Sequence, residues 1–182
     1  VRPSARRAGR PNVRGVCKAE VHMGSLAFTA PRPLEPNDPL DGFSCGISLV
    51  DTWLHTRARN ARAAGTAVVY VSYATDGRLA GFYTLSAHSL ERGATRGWMA
   101  RNAPEQIPGI LLGMLGVDAS FQGMHLGSNL LLDAVHRAMA VADTIGARAL
   151  LVDPIDDASR AFYAHHGFRP LPESTRMYAK LM

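Results

Sequence analysis

The sequence has few cysteines and no long hydrophobic run. Its two cysteines, Cys17 and Cys45, lie far apart and provide neither a disulfide framework nor the spacing of a zinc site. No apolar run reaches the roughly 18 residues that a membrane span requires, and the N-terminus lacks the apolar segment of a secretory signal. These absences favour a protein of the reducing cytoplasm without a metal site.

Positive charge is concentrated in residues 1–22. That segment has six basic residues and one acidic residue, so it accounts for the whole formal net charge of +5. The rest of the chain has equal numbers of acidic and basic residues. We expect residues 1–22 to be a disordered basic leader and residues 23–182, which begin at a methionine, to form a single domain. A nucleic-acid-binding tail is the alternative interpretation of the leader.

Helical and strand patterns follow one another through the remaining sequence. The predicted elements are a helix at Leu49–Ala64, a hairpin of Ala67–Ala74 and Leu79–Leu90, a strand from Ile110, a helix at Leu126–Ile145, a strand at Ala149–Val152, a helix at Ala158–His166 and a last strand at Met177–Leu181. Weaker signals predict a first strand around Leu26–Thr29, a capping-box-like helix start at Ser48 and Asp51, and a short helix around Trp98–Asn102. We find no internal repeat.

The stretch Ile110–Ser128 carries the main functional signal. Its apolar residues are typical of a buried strand, and they lead into a loop with Gly123 and Gly127 and then into a long helix. Glycine lets a backbone approach a phosphate closely, and a helix N-terminus offers unpaired N–H groups at the positive end of its dipole. The stretch therefore indicates a phosphate-binding loop.

Six arginines outside the leader form two groups. One group lies on a face of the helix before the hairpin, and the other lies in the long loop after it. The groups are Arg57, Arg59 and Arg62, and Arg92, Arg96 and Arg101. Each group is either a solvated surface or a contact for a polyanion such as RNA.

Several separate blocks resemble the GNAT acetyltransferase superfamily. GVD at a strand end is followed by Q-G-x-x-L-G, a long helix, ALLV, and D-D-A-x-x-F-Y-x-x-x-G-F. More narrowly, the segments Phe43–Leu54, Gly81–Ala87, Arg101–Pro108 and Ala149–Phe168 resemble the TacT-type toxins of type II toxin–antitoxin modules, which acetylate aminoacyl-tRNA. The resemblance covers about residues 40–182. It implies an α/β (α+β) GNAT fold, with a mixed central sheet splayed around an acetyl-CoA cleft and flanking helices.

The resemblance also implies roles for individual residues. The pantetheine arm of acetyl-CoA would pair with the backbone at Leu115 and Val117, and its pyrophosphate would lie on the loop N–H groups. Tyr163 would be the catalytic residue that gives a proton to the departing CoA thiolate, since a phenol with a pKa of about 10 is protonated at neutral pH. The implied cofactor contacts are Leu115, Gly116, Val117, Gln122, Gly123, Met124, His125, Leu126, Gly127, Ser128, Asp156 and Ser159.

The acceptor implied by the resemblance is an amine, which must attack as the free base. Spacing does not select a general base among Glu91, Glu105 and His88. An α-amine with a pKa of about 8 depends less on a base than a lysine does, which favours an aminoacyl-tRNA as substrate. The toxin group further implies tRNA contact through the six arginines, a homodimer, and a cognate antitoxin, commonly a small DNA-binding protein of ribbon-helix-helix type. His165 and His166 are expected on the exposed side of their helix.

Three features depart from the pattern of these families. His125 stands in the place of the first loop glycine, Met114 stands where the toxin group tends to have arginine, and residues 23–182 carry no net charge. The His125 β-carbon could hinder the pyrophosphate, or the backbone conformation could tolerate it, and a protonated imidazole could attract phosphate. Two alternatives therefore stay open. One is a GNAT enzyme that acetylates a small-molecule amine or a protein N-terminus. The other is a catalytically impaired module that binds acyl-CoA or a partner.

Overall fold

One mixed sheet is the centre of the fold. The computed structural model describes residues 28–181, so the predicted leader lies outside the described residues. Within them the strands are β1 (Arg32–Pro33), β2 (Val68–Tyr73), β3 (Leu79–Glu91), β4 (Gln106–Val117), β5 (Ala149–Val152), β6 (Arg169–Pro170) and β7 (Met177–Lys180). The helices are α1 (Ser48–Ala63), α2 (Leu126–Ile145) and α3 (Asp157–His165). The strands follow the order β1–β2–β3–β4–β5–β7–β6 across the sheet.

The strands pair antiparallel except for β4 and β5, which are parallel. A parallel pair needs a long crossover connection, and α2 provides it. α2 ends at Gly146, whose φ of 80° is left-handed and whose N–H bonds back to the Ala142 carbonyl. No helix in residues 28–181 is both long enough and apolar enough to cross a membrane.

Different helices cover the two faces of the sheet. On one face, Leu130 and Val135 of α2 are completely buried in the core cluster that includes Tyr83. On the other face, Leu54 of α1 is completely buried in the cluster that includes Phe82. Phe82 and Tyr83 are neighbours in β3 and face opposite sides, as the two-residue period of a strand requires. The central strands are therefore covered on both faces and give the site a rigid frame.

Most predicted elements are confirmed. α2 and β5 have the predicted bounds, and α1, the hairpin strands and α3 differ from prediction by one residue at an end. The predicted first strand is wrong, because within the described residues Phe28 makes an isolated bridge to Ala74 and pairing starts at β1. β1 contains Pro33 and lies at the sheet edge, where a missing ladder N–H is tolerated.

The predicted capping box at Ser48 is also wrong. α1 is preceded by Ile47, and no side chain caps it by a hydrogen bond. Asp51 instead reaches back before the helix, where its carboxylate accepts the Ser44 hydroxyl at 2.7 Å and the Cys45 N–H at 2.8 Å. The acidic residue therefore holds the chain that enters α1 rather than the first helical turn.

Candidate active site

β4 and β5 separate partway along β4. Their parallel pairing covers Gly109–Leu112 of β4 and stops at Val152, the last residue of β5. β4 continues to Val117 and stays paired with β3 on its other side. Beyond Val152 the chain leaves the sheet at Asp153. The C-terminal part of β4 therefore has backbone groups that face a gap where a neighbouring strand is missing.

A β-bulge lies at the point of separation. The pairing register shifts between Tyr83 and Leu85, so Thr84 lies opposite both Gly113 and Met114. The Thr84 hydroxyl oxygen accepts the Met114 N–H at 2.9 Å, and Thr84 is only 3% exposed. The sequence prediction missed Thr84. The available signal was a glycine, Gly113, inside a strand pattern.

The gap forms a cavity of about 300 Å³ between β4 and α3. Seven of the residues predicted to contact the cofactor or to act in catalysis line it: Leu115, Val117, Gln122, Gly127, Asp156, Ser159 and Tyr163. Gly116 faces the other side, where an added β-carbon would lie 3.0 Å from atoms of Phe82 and Val50. Leu126 is buried in the core. The structure thus brings most of the predicted set to one gap.

The carboxylate of Asp118 fixes the start of the loop after β4. It accepts the N–H groups of Ser44 and Ser120 at 3.0 and 2.9 Å. Burial would raise the pKa of Asp118, but these hydrogen bonds outweigh burial and hold the pKa below its ordinary value. Asp118 is therefore ionised at neutral pH and ties the loop to the chain that enters α1.

The side chain of Gln122 also supports the loop. Its amide nitrogen donates to the carbonyls of Cys45 and Val117 at 2.9 and 3.0 Å. Because these bonds occupy the side chain, we expect Gln122 to contact a cofactor through its backbone.

The N-terminus of α2 faces outward with unpaired donors. The first bond of the helix runs from the Asn129 N–H to the His125 carbonyl at 3.1 Å. The N–H groups of Leu126, Gly127 and Ser128 precede this bond, so they have no acceptor within the helix. With the positive end of the helix dipole, they form a site suited to an anion such as a pyrophosphate.

Asp156 and Ser159 form a capping box at the start of α3. The Asp156 carboxylate accepts the Ser159 N–H at 2.7 Å, and the Ser159 hydroxyl oxygen accepts the Asp156 N–H at 3.1 Å. Both residues line the gap, although their side chains already stabilise the helix. Their contact with a cofactor stays a prediction.

Tyr163 of α3 also lines the gap and is 8% exposed. Its ring contacts Phe162 and Phe168. Within the part of the chain that the structure describes, its hydroxyl has no hydrogen-bond partner. Burial, with a smaller contribution from the negative charge of Asp153, raises the pKa of Tyr163 well above its ordinary value. The phenol therefore stays protonated at neutral pH, as a proton donor must.

A second cavity, of about 740 Å³, lies beside α1. α1 contributes Trp53, Arg57 and Asn60 to its wall, and β3 contributes Thr84 and Ser86. Three residues line both cavities: Gly113, Met114 and Asp153. The cavities therefore adjoin at the bulge, so a group carried in the first could reach an acceptor in the second. We name them the donor cavity and the acceptor cavity.

The six arginines predicted to contact a polyanion differ in how they are held. Arg59 donates to carbonyls of the Pro36–Asp38 segment at 2.5 and 2.7 Å, and Arg92 donates to the Ala103 carbonyl and Glu105. Arg96 pairs with Glu173 at 3.0 Å, and both side chains are exposed. Three side chains have no hydrogen bond or ion pair among the described residues: Arg57, Arg62 and Arg101. The last three are the ones most available to a ligand.

Comparison with known proteins decides the family, because the Acetyltransferase (GNAT) family matches residues 41–168. The chain belongs to the GNAT acetyltransferase family. A tRNA-acetylating toxin of Mycobacterium tuberculosis is 40% identical over 145 residues, which are 80% of this chain and 87% of the toxin. A probable toxin TacT of Sinorhizobium fredii is 33% identical over 157 residues, covering 79% of this chain and 87% of that protein.

A solved structure supports the same fold. AtaT complexed with acetyl-methionyl-tRNAfMet matches at a TM-score of 0.76 and 23% identity, over 84% of this chain and 94% of that chain. The predicted GNAT fold, the acetyltransferase class and acetyl-CoA as acetyl donor are confirmed. The observed site fits this donor, since the gap offers an unpaired strand edge, free helix N–H groups and a buried phenol. The roles of individual residues stay predictions.

The GNAT loop of this chain departs from the family pattern at His125. Its φ of 61° and ψ of 7° are left-handed, and its side chain is exposed. Glycine adopts this conformation at no steric cost, and histidine is among the residues that adopt it more readily than most. The geometry therefore favours the interpretation that the loop tolerates a side chain here.

We expect His125→Gly to raise the free energy of unfolding by about 0.5–1 kcal/mol, because glycine removes the left-handed strain. The affinity for acetyl-CoA should stay within about threefold, since the loop N–H groups keep their positions. Urea unfolding and calorimetric titration measure the two quantities. The matched control is Ala140→Gly, an exposed position within the same helix, which should lower stability by about 1 kcal/mol. Destabilisation by His125→Gly would contradict the strain argument.

The second histidine after Tyr163 corrects another expectation. His165 is exposed as predicted, but His166 is half-buried. Its Nδ1 lies 2.8 Å from the Phe162 carbonyl and its Nε2 lies 3.1 Å from the Ser128 hydroxyl. His166 therefore links α3 to the first turn of α2 across the gap.

The loop between β3 and β4 has turns where a short helix was predicted. A 3₁₀ turn covers Arg92–Ala94, and turns without a helix follow over residues 97–102. The Arg148 guanidinium donates to four carbonyls between Trp98 and Asn102 at 3.1–3.3 Å. These carbonyls bond to one side chain rather than along a helix, so Arg148 fixes the loop that carries Arg101.

We expect Arg148→Ala to loosen this loop and to lower the acetylation of a large acceptor about tenfold, because four carbonyls lose a charged donor. Acetyl-CoA binding should not change, since the loop does not line the donor cavity. Amide hydrogen exchange of residues 92–105 reports the loosening directly. Equal protection in both proteins would show that Arg148 does not hold the loop.

Proposed function

We propose that this acetyltransferase transfers the acetyl group of acetyl-CoA to the α-amine of an aminoacyl-tRNA and so acts as a toxin that blocks translation. The observation that carries the proposal is the junction of a donor cavity and an acceptor cavity beside the protonated Tyr163. The relatives named for tRNA acetylation, at 40% identity over most of both chains, point to the same acceptor.

Acetyl-CoA supplies the acetyl group as a thioester. The unpaired part of β4 would hold its pantetheine arm through backbone bonds at Leu115 and Val117. The N–H groups at the start of α2 would hold its pyrophosphate. Tyr163 would give its proton to the sulfur that leaves, and solvent would restore the proton.

The residues around the acceptor cavity favour an amine that is already neutral. Among the described lining residues of this cavity there is no glutamate or histidine that could remove a proton. Glu91 and Glu105 lie at the ends of the β3–β4 loop, and neither lines a cavity. An esterified α-amine, whose pKa lies at or below about 8, needs no such base at neutral pH.

Partners and compartment follow from the proposed substrate. AtaT, the structural neighbour, has been solved with the C-terminus of its antitoxin AtaR. We propose that a cognate antitoxin, of ribbon-helix-helix type, holds this chain inactive in the same way, and that the enzyme is a homodimer. Since charged tRNA and acetyl-CoA are cytoplasmic, we place the activity in the cytoplasm.

The deciding experiment incubates the purified full chain with radiolabelled acetyl-CoA and charged bulk tRNA. Label should enter acid-precipitable RNA, and mild alkali should release it as N-acetyl amino acid because the aminoacyl ester is alkali-labile. Deacylated tRNA and free amino acids are the matched controls. Labelling of free amino acids but not of charged tRNA would replace the proposal with a small-amine acetyltransferase. Absence of calorimetric acetyl-CoA binding at millimolar concentration would exclude both enzymes.

A further inference from the structure

Asp153, Arg176 and His88 form a connected chain of side chains where the two cavities adjoin. Arg176 donates Nε to one Asp153 carboxylate oxygen at 2.7 Å and Nη2 to the other at 2.8 Å. Its remaining terminal nitrogen, Nη1, lies 2.6 Å from His88 Nε2. A two-pronged bond of this kind fixes both the position and the plane of the carboxylate.

His88 must be neutral in this arrangement. A guanidinium donates hydrogen bonds and cannot accept them, so His88 Nε2 is the acceptor and the ring proton lies on Nδ1. Burial first, and the positive charge of Arg176 second, lower the pKa of His88. The neutral ring therefore orients Arg176 without adding charge, and the negative charge of Asp153 has one cationic partner in this chain of side chains.

Asp153 is positioned to face a ligand. It follows β5 directly, lines both cavities, and its side chain is 48% exposed despite the bond to Arg176. A carboxylate has about four lone-pair sites, of which Arg176 uses two. Among the described residues that line the acceptor cavity, Asp153 is the one with a negative charge.

We propose that Asp153 accepts a hydrogen bond from the amino group of the acceptor and holds it toward the acetyl carbon, with Arg176 and His88 as positioning residues. The inference rests on the proposed function and names the residue that receives its substrate. As the nitrogen bonds to the carbonyl carbon it becomes positively charged, and a fixed carboxylate stabilises that charge where it develops. The C–S bond breaks, the sulfur takes the Tyr163 proton, the nitrogen loses its extra proton to water, and water restores Tyr163.

The test compares Asp153→Asn with the wild-type chain in acetylation of charged tRNA. We expect kcat/KM for the acceptor to fall ten- to hundredfold, because a charge-assisted bond is lost. The Kd for acetyl-CoA, and the slow hydrolysis of acetyl-CoA without acceptor, should stay within twofold, since neither involves the amine. Asp153→Glu should recover part of the loss. Asp157→Asn removes a neighbouring exposed charge that lines neither cavity, so it should have no effect.

Arg176→Lys is the second variant, because it keeps the charge near Asp153 but loses the two-pronged bond. It should raise the acceptor KM less than Asp153→Asn does. An unchanged acceptor KM in Asp153→Asn would overturn the inference, as would an equal loss of acetyl-CoA binding. If the wild-type chain does not acetylate charged tRNA, the proposed function fails. The same variants are then compared with amino-acid methyl esters, whose esterified α-amine tests Asp153 separately.

Discussion

Tyr163→Phe is expected to lower kcat at least a hundredfold, while the Kd for acetyl-CoA stays within about twofold. The substitution removes one hydroxyl from a side chain that is otherwise buried between Phe162 and Phe168, so the packing of α3 stays intact. A thiolate then leaves without a proton donor, and a positioned general acid typically contributes a hundredfold to ten-thousandfold. Single-turnover kinetics with labelled acetyl-CoA, beside calorimetric titration of the same variant, measure the two effects.

The matched control for this prediction is Tyr178→Phe. Tyr178 lies against Trp98 in β7 and lines neither cavity, so loss of its hydroxyl should leave turnover unchanged. Undiminished turnover in Tyr163→Phe would remove the proton-donor role. A large loss of acetyl-CoA affinity would instead show that the hydroxyl binds the donor.

The pH profile gives an independent check on Tyr163. Burial and Asp153 raise its pKa, so the hydroxyl should stay protonated through the range in which the acceptor amine becomes neutral. Activity should therefore rise with pH through the amine pKa of about 8 and then stay level to about pH 10. A decline beginning near pH 9 would indicate that the essential acid has an ordinary or lowered pKa.

The fold was predictable because its signals are local. The apolar period of α2, the glycine that ends it and the continuous apolar run of β5 each act over a few residues, and all three bounds were correct. The loop before α2 was also correct in type, since strand, glycine and helix follow one another directly. Tyr163 was identified through the resemblance, because nothing in its own helix distinguishes it from an ordinary buried aromatic.

The missed parts of the site depend on contacts between distant residues. Thr84 became functional in appearance only when β3 and β4 paired out of register, 30 residues apart in sequence. Asp153 gained its setting from Arg176, which is 23 residues away, and from His88, which is more distant still. Periodicity and spacing carry no information about such contacts, so a sequence can indicate the residues of a site without their arrangement.

The same limit applies to the arginines, which one sequence pattern placed in a single class. The structure divides them, because Arg59 and Arg92 are bound to their own chain while Arg57, Arg62 and Arg101 are not. The division also bears on the zero net charge of residues 23–182. A polyanion site needs positive charge that is local and available rather than a positive total.

Replacing Arg57, Arg62 and Arg101 together by alanine is expected to raise the KM for charged tRNA on the order of ten- to a hundredfold, because three contacts to phosphate are lost. The slope of log affinity against log salt should become shallower by about two to three. Stability should change little, since the described structure gives these side chains no hydrogen bond or ion pair to lose. Filter binding across a salt series and thermal unfolding measure the three quantities.

Two variants make this last prediction specific to charge. The triple lysine variant keeps three point charges that phosphate accepts, so it should retain most of the affinity and nearly the full salt slope. Arg59→Ala should do the reverse, because it breaks two bonds to the Pro36–Asp38 carbonyls and so lowers the unfolding temperature with little effect on the salt slope. If the triple alanine variant acetylates charged tRNA with an unchanged KM and salt slope, phosphate contact by these arginines is excluded, and the acceptor must be held by the cavity alone.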